Sequence, residues 1–221
     1  MPLNMLTPKR NVFISYHHGN DQPYKDILVS MNEEHSIYLE QSVRDGDISD
    51  RLPTETIRTK IRDNWLRNST VTLLLVGEET RYRKHVDWEL KSSMIDGSVN
   101  KRSGVLAVML PSTGCNNFHA PFTEEKEQVY PDCNNWISVE TKASYQERYP
   151  YLPERIYDNL LTDNVRFSIT LWDRIVNSPD NLRLLIDLAA KARLTNQYDI
   201  SRDMRMKNHN PYQTILGGIR M

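Results

Sequence analysis

The sequence predicts an α/β protein built on a mostly parallel sheet. Two observations carry that class. Short runs rich in β-branched and apolar residues alternate with segments whose apolar residues recur every three or four positions. Two of the runs, "LLLV" and "VLAVML", also lack any polar alternation, which is the pattern of strands covered on both faces.

The elements follow in chain order. "NVFISY" (11–16) is the first buried strand, and Gly19, Asn20 and Asp21 punctuate its end. "DQPYKDILVSMNEE" is a helix with Ile27, Leu28 and Met31 at helical spacing. "SIYLEQSV" (36–43) is the second strand and runs into the polar loop "RDGDISDRLP" (44–53), where Gly46 and Pro53 are breakers. Ile57, Ile61 and Trp65 repeat at i, i+4, i+8 and give a helix over 54–68 one apolar face. "TVTLLLVG" (70–77) is the third strand, and Val86, Leu90 and Met94 share the stripe of the helix after it. "SGVLAVMLP" (103–111) is the fourth strand, ended by Pro111.

Beyond Pro111 the alternation loosens. Residues 112–135 read as a long loop, "WISVE" as a fifth short strand and "PERIYDNLL" as a short helix. Two further helices are expected. In "DNVRFSITLWDRIV", Val165, Ile169, Trp172 and Val176 are in register; in "SPDNLRLLIDLAAKARL", Ser178 caps and Pro179 takes the first helical position. From Asn196 onward a polar tail of low order is expected. The organisation is a core over 9–135, a strand and C-terminal helices over 136–195 packed on it, and a tail over 196–221.

Composition removes several functions. At 221 residues, with 38% hydrophobic and 26% charged residues, the chain reads as one soluble domain with extensions, able to bury a core. Its net charge of −1 and scattered lysines and arginines give no electrostatic footprint for nucleic acid or an anionic membrane. The start, "MPLNMLTPKR", lacks the basic-then-apolar order of a signal peptide, and no apolar run approaches the roughly 20 residues of a membrane span. A cytoplasmic location is the expectation. Cys115 and Cys133 have neither CxxC spacing nor paired histidines nearby, so free thiols are expected rather than a zinc site or a disulfide.

In an open parallel sheet, ligands bind outside the carboxyl ends of the strands where strand order reverses. "HHGND", "RDGDISDRLP" and "EETRYRK" follow the first three strands and crowd one rim. They bring His17, His18, Asp21, Asp45, Arg81 and Arg83, among others, to a crevice of mixed charge that suits phosphates and ribose hydroxyls. Neither GxGxxG nor GxxxxGK[ST] occurs, which excludes an ordinary Rossmann dehydrogenase and a P-loop NTPase. His17 and His18, as neighbours leaving a strand, point to opposite sides, so a structural or substrate-contact role is favoured over a metal site.

Glu89 lies one turn after His85 and one turn before Ser93, at the edge of the Val86, Leu90, Met94 stripe. Spacing leaves two readings open. A partly desolvated carboxylate there can hold a sugar hydroxyl or stabilise a cationic transition state; a solvated helix glutamate paired with a neighbour is the other.

Taken together, "RNVFISYHHGND", "IRTKIRDNWLRNSTVTLLLVGEETRYRKHVDWELKSS" and "SGVLAVMLPSTG" resemble the bacterial TIR-like family that includes the B component of Thoeris anti-phage defence systems. The resemblance covers roughly residues 9 to 113. It implies a flavodoxin-like five-stranded sheet in the order 2-1-3-4-5. It also implies cleavage of the nicotinamide–ribose bond of NAD, as substrate and not resident cofactor, with a cyclic ADP-ribose isomer as an immune signal. The family's catalytic glutamate falls on Glu89. Tyr16, His17, Asp21, Asp45, Arg81 and His85 become the substrate contacts, and no metal is implied. His85 stands where such sequences usually carry the Trp of a WCxxE pattern.

Partners implied are NAD, further copies of the chain and a downstream effector reached through the nucleotide product. The loops at 44–53 and 112–135 are candidate lids. The alternative is a non-catalytic assembly module using the helices near Trp172 and Leu185. A response-regulator receiver is disfavoured because the third strand ends "LLLVGEET", with no phosphoacceptor Asp.

Overall fold

In chain order the elements are β1 (Asn11–Ser15), α1 (His18–His35), β2 (Leu39–Gln41), β3 (Val71–Val76), α2 (Lys84–Ser93) and β4 (Gly104–Met109). They continue with α3 (Thr123–Val129), α4 (Lys142–Arg148), α5 (Glu154–Leu160), β5 (Ser168–Leu171), α6 (Trp172–Val176) and α7 (Pro179–Ala192). Short 3-10 turns occupy Thr80–Tyr82 and Pro111–Thr113. The computed structural model describes residues 8–41, 66–97 and 101–208, and positions 53, 56 and 59–61. Most of the polar loop at 44–53 and of the helix expected over 54–68 lies outside the described residues.

The strands form one parallel sheet in the order β2-β1-β3-β4-β5. This is the flavodoxin-like α/β architecture expected above, with C-terminal helices added. β3 and β4 are buried along their whole length, as their unbroken apolar runs require. One sheet face turns Val12, Ile14, Leu73, Leu75, Leu106 and Val108 onto Leu28 and Met31 of α1 and Leu182, Leu185 and Ile186 of α7. The other turns Leu74, Val76, Val105, Ala107 and Met109 onto Val86 and Leu90 of α2 and Ile156 and Tyr157 of α5. α7 lies so close to β4 that a Cβ on Gly104 would collide with the Ala189 carbonyl oxygen. Glycine is therefore required where β4 begins.

Ser178 caps α7 as expected, its hydroxyl accepting from Asn181 N at 3.3 Å. Elsewhere beyond Pro111 the structure corrects the reading. Residues 136–140 form no strand, and Trp136 and Ile137 stand 41% and 63% exposed. The fifth strand is instead Ser168–Leu171, inside the segment expected to be one long helix. Its three-to-four spacing does fit a helix, but β4 leaves an edge whose backbone groups must be paired, and Ile169 and Thr170 are well suited to a strand. Only Trp172–Val176 remains helical. The expected long loop contains α3, which buries Glu125 and Val129. The start of the expected tail is packed rather than loose: Asn196, Tyr198 and Met204 are all buried.

Glu125 is fully buried; its Oε2 accepts from Ser168 Oγ at 2.7 Å and its Oε1 has no hydrogen-bonding partner among the described residues. Burial pushes its carboxyl up to about 8, outweighing the Ser168 bond. The folded state therefore holds a proton that the unfolded chain releases above about 4.5. Stability from this group is complete below about 4.5 and is lost as pH rises through about 8. Glu125→Gln, which cannot ionise, should gain stability relative to wild type across that window and level off above it, as read by urea midpoints at successive pH values.

Candidate active site

The order of strands reverses at β1, so the crevice rule points to the carboxyl ends of β1 and β3. Ser15 ends β1 on the face that α2 covers. Its hydroxyl donates to Glu89 Oε2 at 2.6 Å, with Ser15 and Glu89 only 1% and 7% exposed. One turn later Ser93 Oγ lies 2.7 Å from Thr72 Oγ1 of β3 and donates to the Glu89 carbonyl at 2.7 Å. Two hydroxyl contacts thus tie α2 to adjacent strands around the glutamate. Glu89 is a buried carboxylate at the expected rim, not a solvated surface group.

A second acid lies beside the same strand ends. Asp21, in the first turn of α1, is buried, and Thr80 Oγ1 lies 3.2 Å from its Oδ2. The same hydroxyl accepts from Gly77 N at 2.9 Å, so the turns after β1 and β3 are stitched together. Burial raises the Asp21 carboxyl, opposed by its hydrogen bonds and by Arg83. A Cβ on Gly77 would stand 2.5 Å from the Asp21 carboxyl. Gly77→Ala should therefore displace Asp21 and lower the thermal midpoint, while the double variant Gly77→Ala/Asp21→Ala should recover much of the loss.

His17 precedes α1, and its Nδ1 is buried with no hydrogen-bonding partner among the described residues. Burial, then the charges of Arg83 and His18, pushes its imidazole down to about 4, so it is neutral near pH 7. His18 stacks on Tyr16 with ring centroids 4.2 Å apart, and the Tyr16 hydroxyl donates to Gln22 Oε1 at 2.7 Å. The structure thus brings Tyr16, His17, Asp21 and Glu89 to the ends of β1 and β3.

Arg81 is directed elsewhere. Its guanidinium donates to the Pro150 carbonyl and the Tyr82 hydroxyl, toward the turn between α4 and α5. Arg83, paired with Glu79, is the arginine whose charge reaches His17 and Asp21. His85 is exposed and meets the Trp88 ring edge-on at 5.1 Å. Asp45 lies outside the described residues. Among the described residues no three His, Cys, Asp or Glu side chains converge to hold a metal ion, and both cysteines are free.

Residues 13–114, just under half the chain, match the family model described as Thoeris protein ThsB, TIR-like domain. This segment is similar to the ThsB-type TIR-like domain. A search of curated proteins finds no match to the chain. The family match supports a role in TIR-family defence. No helix among the described residues is long and apolar enough to cross a membrane.

Sequence reasoning missed what holds this TIR-like site from behind. Asp87 faces away from the crevice and accepts from Arg155 Nε at 3.1 Å, Arg155 Nη2 at 3.2 Å and Arg205 N at 2.8 Å. Arg155, from α5, is fully buried and also donates to the carbonyls of Arg202 and Asp203. Trp88 Nε1 donates to the Arg205 carbonyl, and Lys84 N to Asn208 Oδ1. Residues 202–208 therefore form a strap along α2. Removing one member of a buried ion pair costs about 3–5 kcal/mol. Arg155→Met should show a loss of that size in urea unfolding, and Asp87→Leu/Arg155→Met should restore part of it.

Proposed function

We propose that the TIR-like domain cleaves the nicotinamide–ribose bond of NAD and releases a cyclic ADP-ribose-type nucleotide as a defence signal. The observation that carries this reading is the buried Glu89 carboxylate, held by Ser15 at the reversal of strand order. Similarity to a family in which some domains cleave NAD supports it.

The chemistry asks for a fixed negative charge and little else. As the C1′–N bond breaks, its electron pair leaves with the nicotinamide ring and positive charge grows on the ribose. A carboxylate whose orientation is already set stabilises that charge without reorganising. Its desolvation strengthens the interaction, because a low local dielectric weakens screening. A hydroxyl of the same ADP-ribose then bonds to C1′ and gives up its proton to solvent, closing the ring; water in its place, likewise losing a proton, gives linear ADP-ribose. Tyr16, His17 and Asp21 line the strand ends where the rest of the dinucleotide would lie, and a neutral His17 adds no charge against the cationic nicotinamide. Under this reading the product reaches a separate effector, and copies of the chain associate.

Purified protein incubated with NAD, with and without lysate of phage-infected cells, should release nicotinamide and a species of NAD mass less nicotinamide, resolved by mass spectrometry. Glu89→Gln should reduce both to background while leaving the circular dichroism spectrum unchanged. Ser15→Ala should lower turnover without abolishing it, since it loosens the carboxylate but keeps it. Undiminished turnover in Glu89→Gln would refute the assignment.

A further inference from the structure

A second cleft lies at the far edge of the sheet, outside the TIR-like segment. His119 forms an antiparallel bridge with Ile169, giving β5 a neighbour on its open side. The chain then runs through α3 and returns as the extended 136–140 segment. Between these pieces and α4 is about 330 Å³ of space. That is within the range of small-molecule sites, roughly 300–1,000 Å³.

Its walls combine two chemistries. One wall is aromatic: Trp136 meets the Phe118 ring edge-on at 6.0 Å, and Phe118 is itself stacked on Tyr130 at 3.7 Å. Trp136 is therefore braced, yet 41% exposed. The other chemistry is cationic. Lys126 Nζ stands 4.6 Å from the Trp136 ring centroid, and Arg148 lies over Tyr149 at 5.7 Å. Neither cation forms an ion pair with a carboxylate among the described residues. Arg148 meets a phenol oxygen, that of Tyr149, at 3.3 Å. An exposed aromatic face beside two cations lacking acidic partners matches a ligand with one planar ring system and one anionic group.

We propose that this cleft is a mononucleotide-binding site, in which the base stacks on the exposed part of Trp136 and the phosphate lies between Lys126 and Arg148. The charges around it agree. The Glu125 carboxyl, next to Lys126 in α3, has its pKa raised to about 8, so it is largely protonated at neutral pH and repels a phosphate little. His119, pushed down to about 4 by burial, is neutral and offers the ligand one donor and one acceptor. The site does not depend on the reading of Glu89.

Trp136 supplies a direct readout: among the described residues Trp88 and Trp172 are buried, Trp65 lies outside them, and the Trp136→Leu variant isolates the contribution of Trp136. Titrating the full chain with AMP should quench tryptophan emission saturably, and adenosine should bind at least about tenfold more weakly, the loss of a charge-assisted hydrogen bond. Glu89→Gln should bind AMP as wild type does. The signal should vanish in Trp136→Leu, and affinity should fall at least tenfold in Lys126→Gln/Arg148→Gln with the circular dichroism spectrum unchanged. No saturable quenching, quenching that persists in Trp136→Leu, or equal affinity in the charge-removed variant would each overturn the proposal.

Discussion

The buried ion pair between Asp87 and Arg155 is the constraint on which the placement of α2, and with it Glu89, depends. An ion pair in a protein interior gains little net stability, because desolvating both charges offsets their attraction. What this one gains is direction. Arg155 presents donors in a rigid fork, and they are taken by Asp87 and by two carbonyls of the 202–208 strap. Asp87 in turn accepts the Arg205 amide. A helix turned by one residue would leave a buried guanidinium and carboxylate unpaired, which costs far more than losing an apolar contact.

Asp87 and Glu89 are two residues apart, about 200° around a helix with 3.6 residues per turn. One therefore faces the strap while the other faces the sheet. Ser15 holds the Glu89 carboxylate, and Ser93 links the Glu89 carbonyl to β3 one turn on. A ten-residue helix is too short to be stable by propensity alone, and these polar locks, with Val86, Leu90 and Met94 beneath, give it one orientation. The described part of the C-terminal region outside the family match thus acts on the TIR-like site through packing and hydrogen bonds to α2.

The parts of the fold legible in the sequence are those with a local signature. β3 and β4 have unbroken apolar runs, α7 has a capping serine and a proline at its first position, and α2 has its stripe. The fifth strand lacked such a signature. "WISVE" and "SITL" have similar composition, and only the presence of β4 alongside decides which one pairs. Tyr198 and Met204 are isolated apolar residues in a polar stretch, and the surfaces that bury them are built by residues far away in the chain. The site divides in the same way. For Glu89 the spacing left a partly desolvated and a solvated reading open, and the structure shows the side chain buried, whereas a serine at a strand end has no spacing that announces its partner. Asp87 has no local signal to mark it as buried, because its partner is 68 residues away. Which of Arg81 and Arg83 turns toward His17 is set by a 3-10 turn that local propensity does not specify.

The electrostatics of the crevice follow from these placements. Burial and the Arg83 charge keep His17 neutral near pH 7, and Arg83 is itself offset by Glu79. Burial also shifts Asp21 toward its uncharged form. Each effect reduces the full charges competing with Glu89 for influence at the end of β1. A site built this way would favour a transition state that gains positive charge, and would do so through one fixed carboxylate. A proton falling onto His17 below its depressed value of about 4 would add a like charge to that transition state, so under the NAD-cleaving reading acid would oppose the reaction through His17 as well.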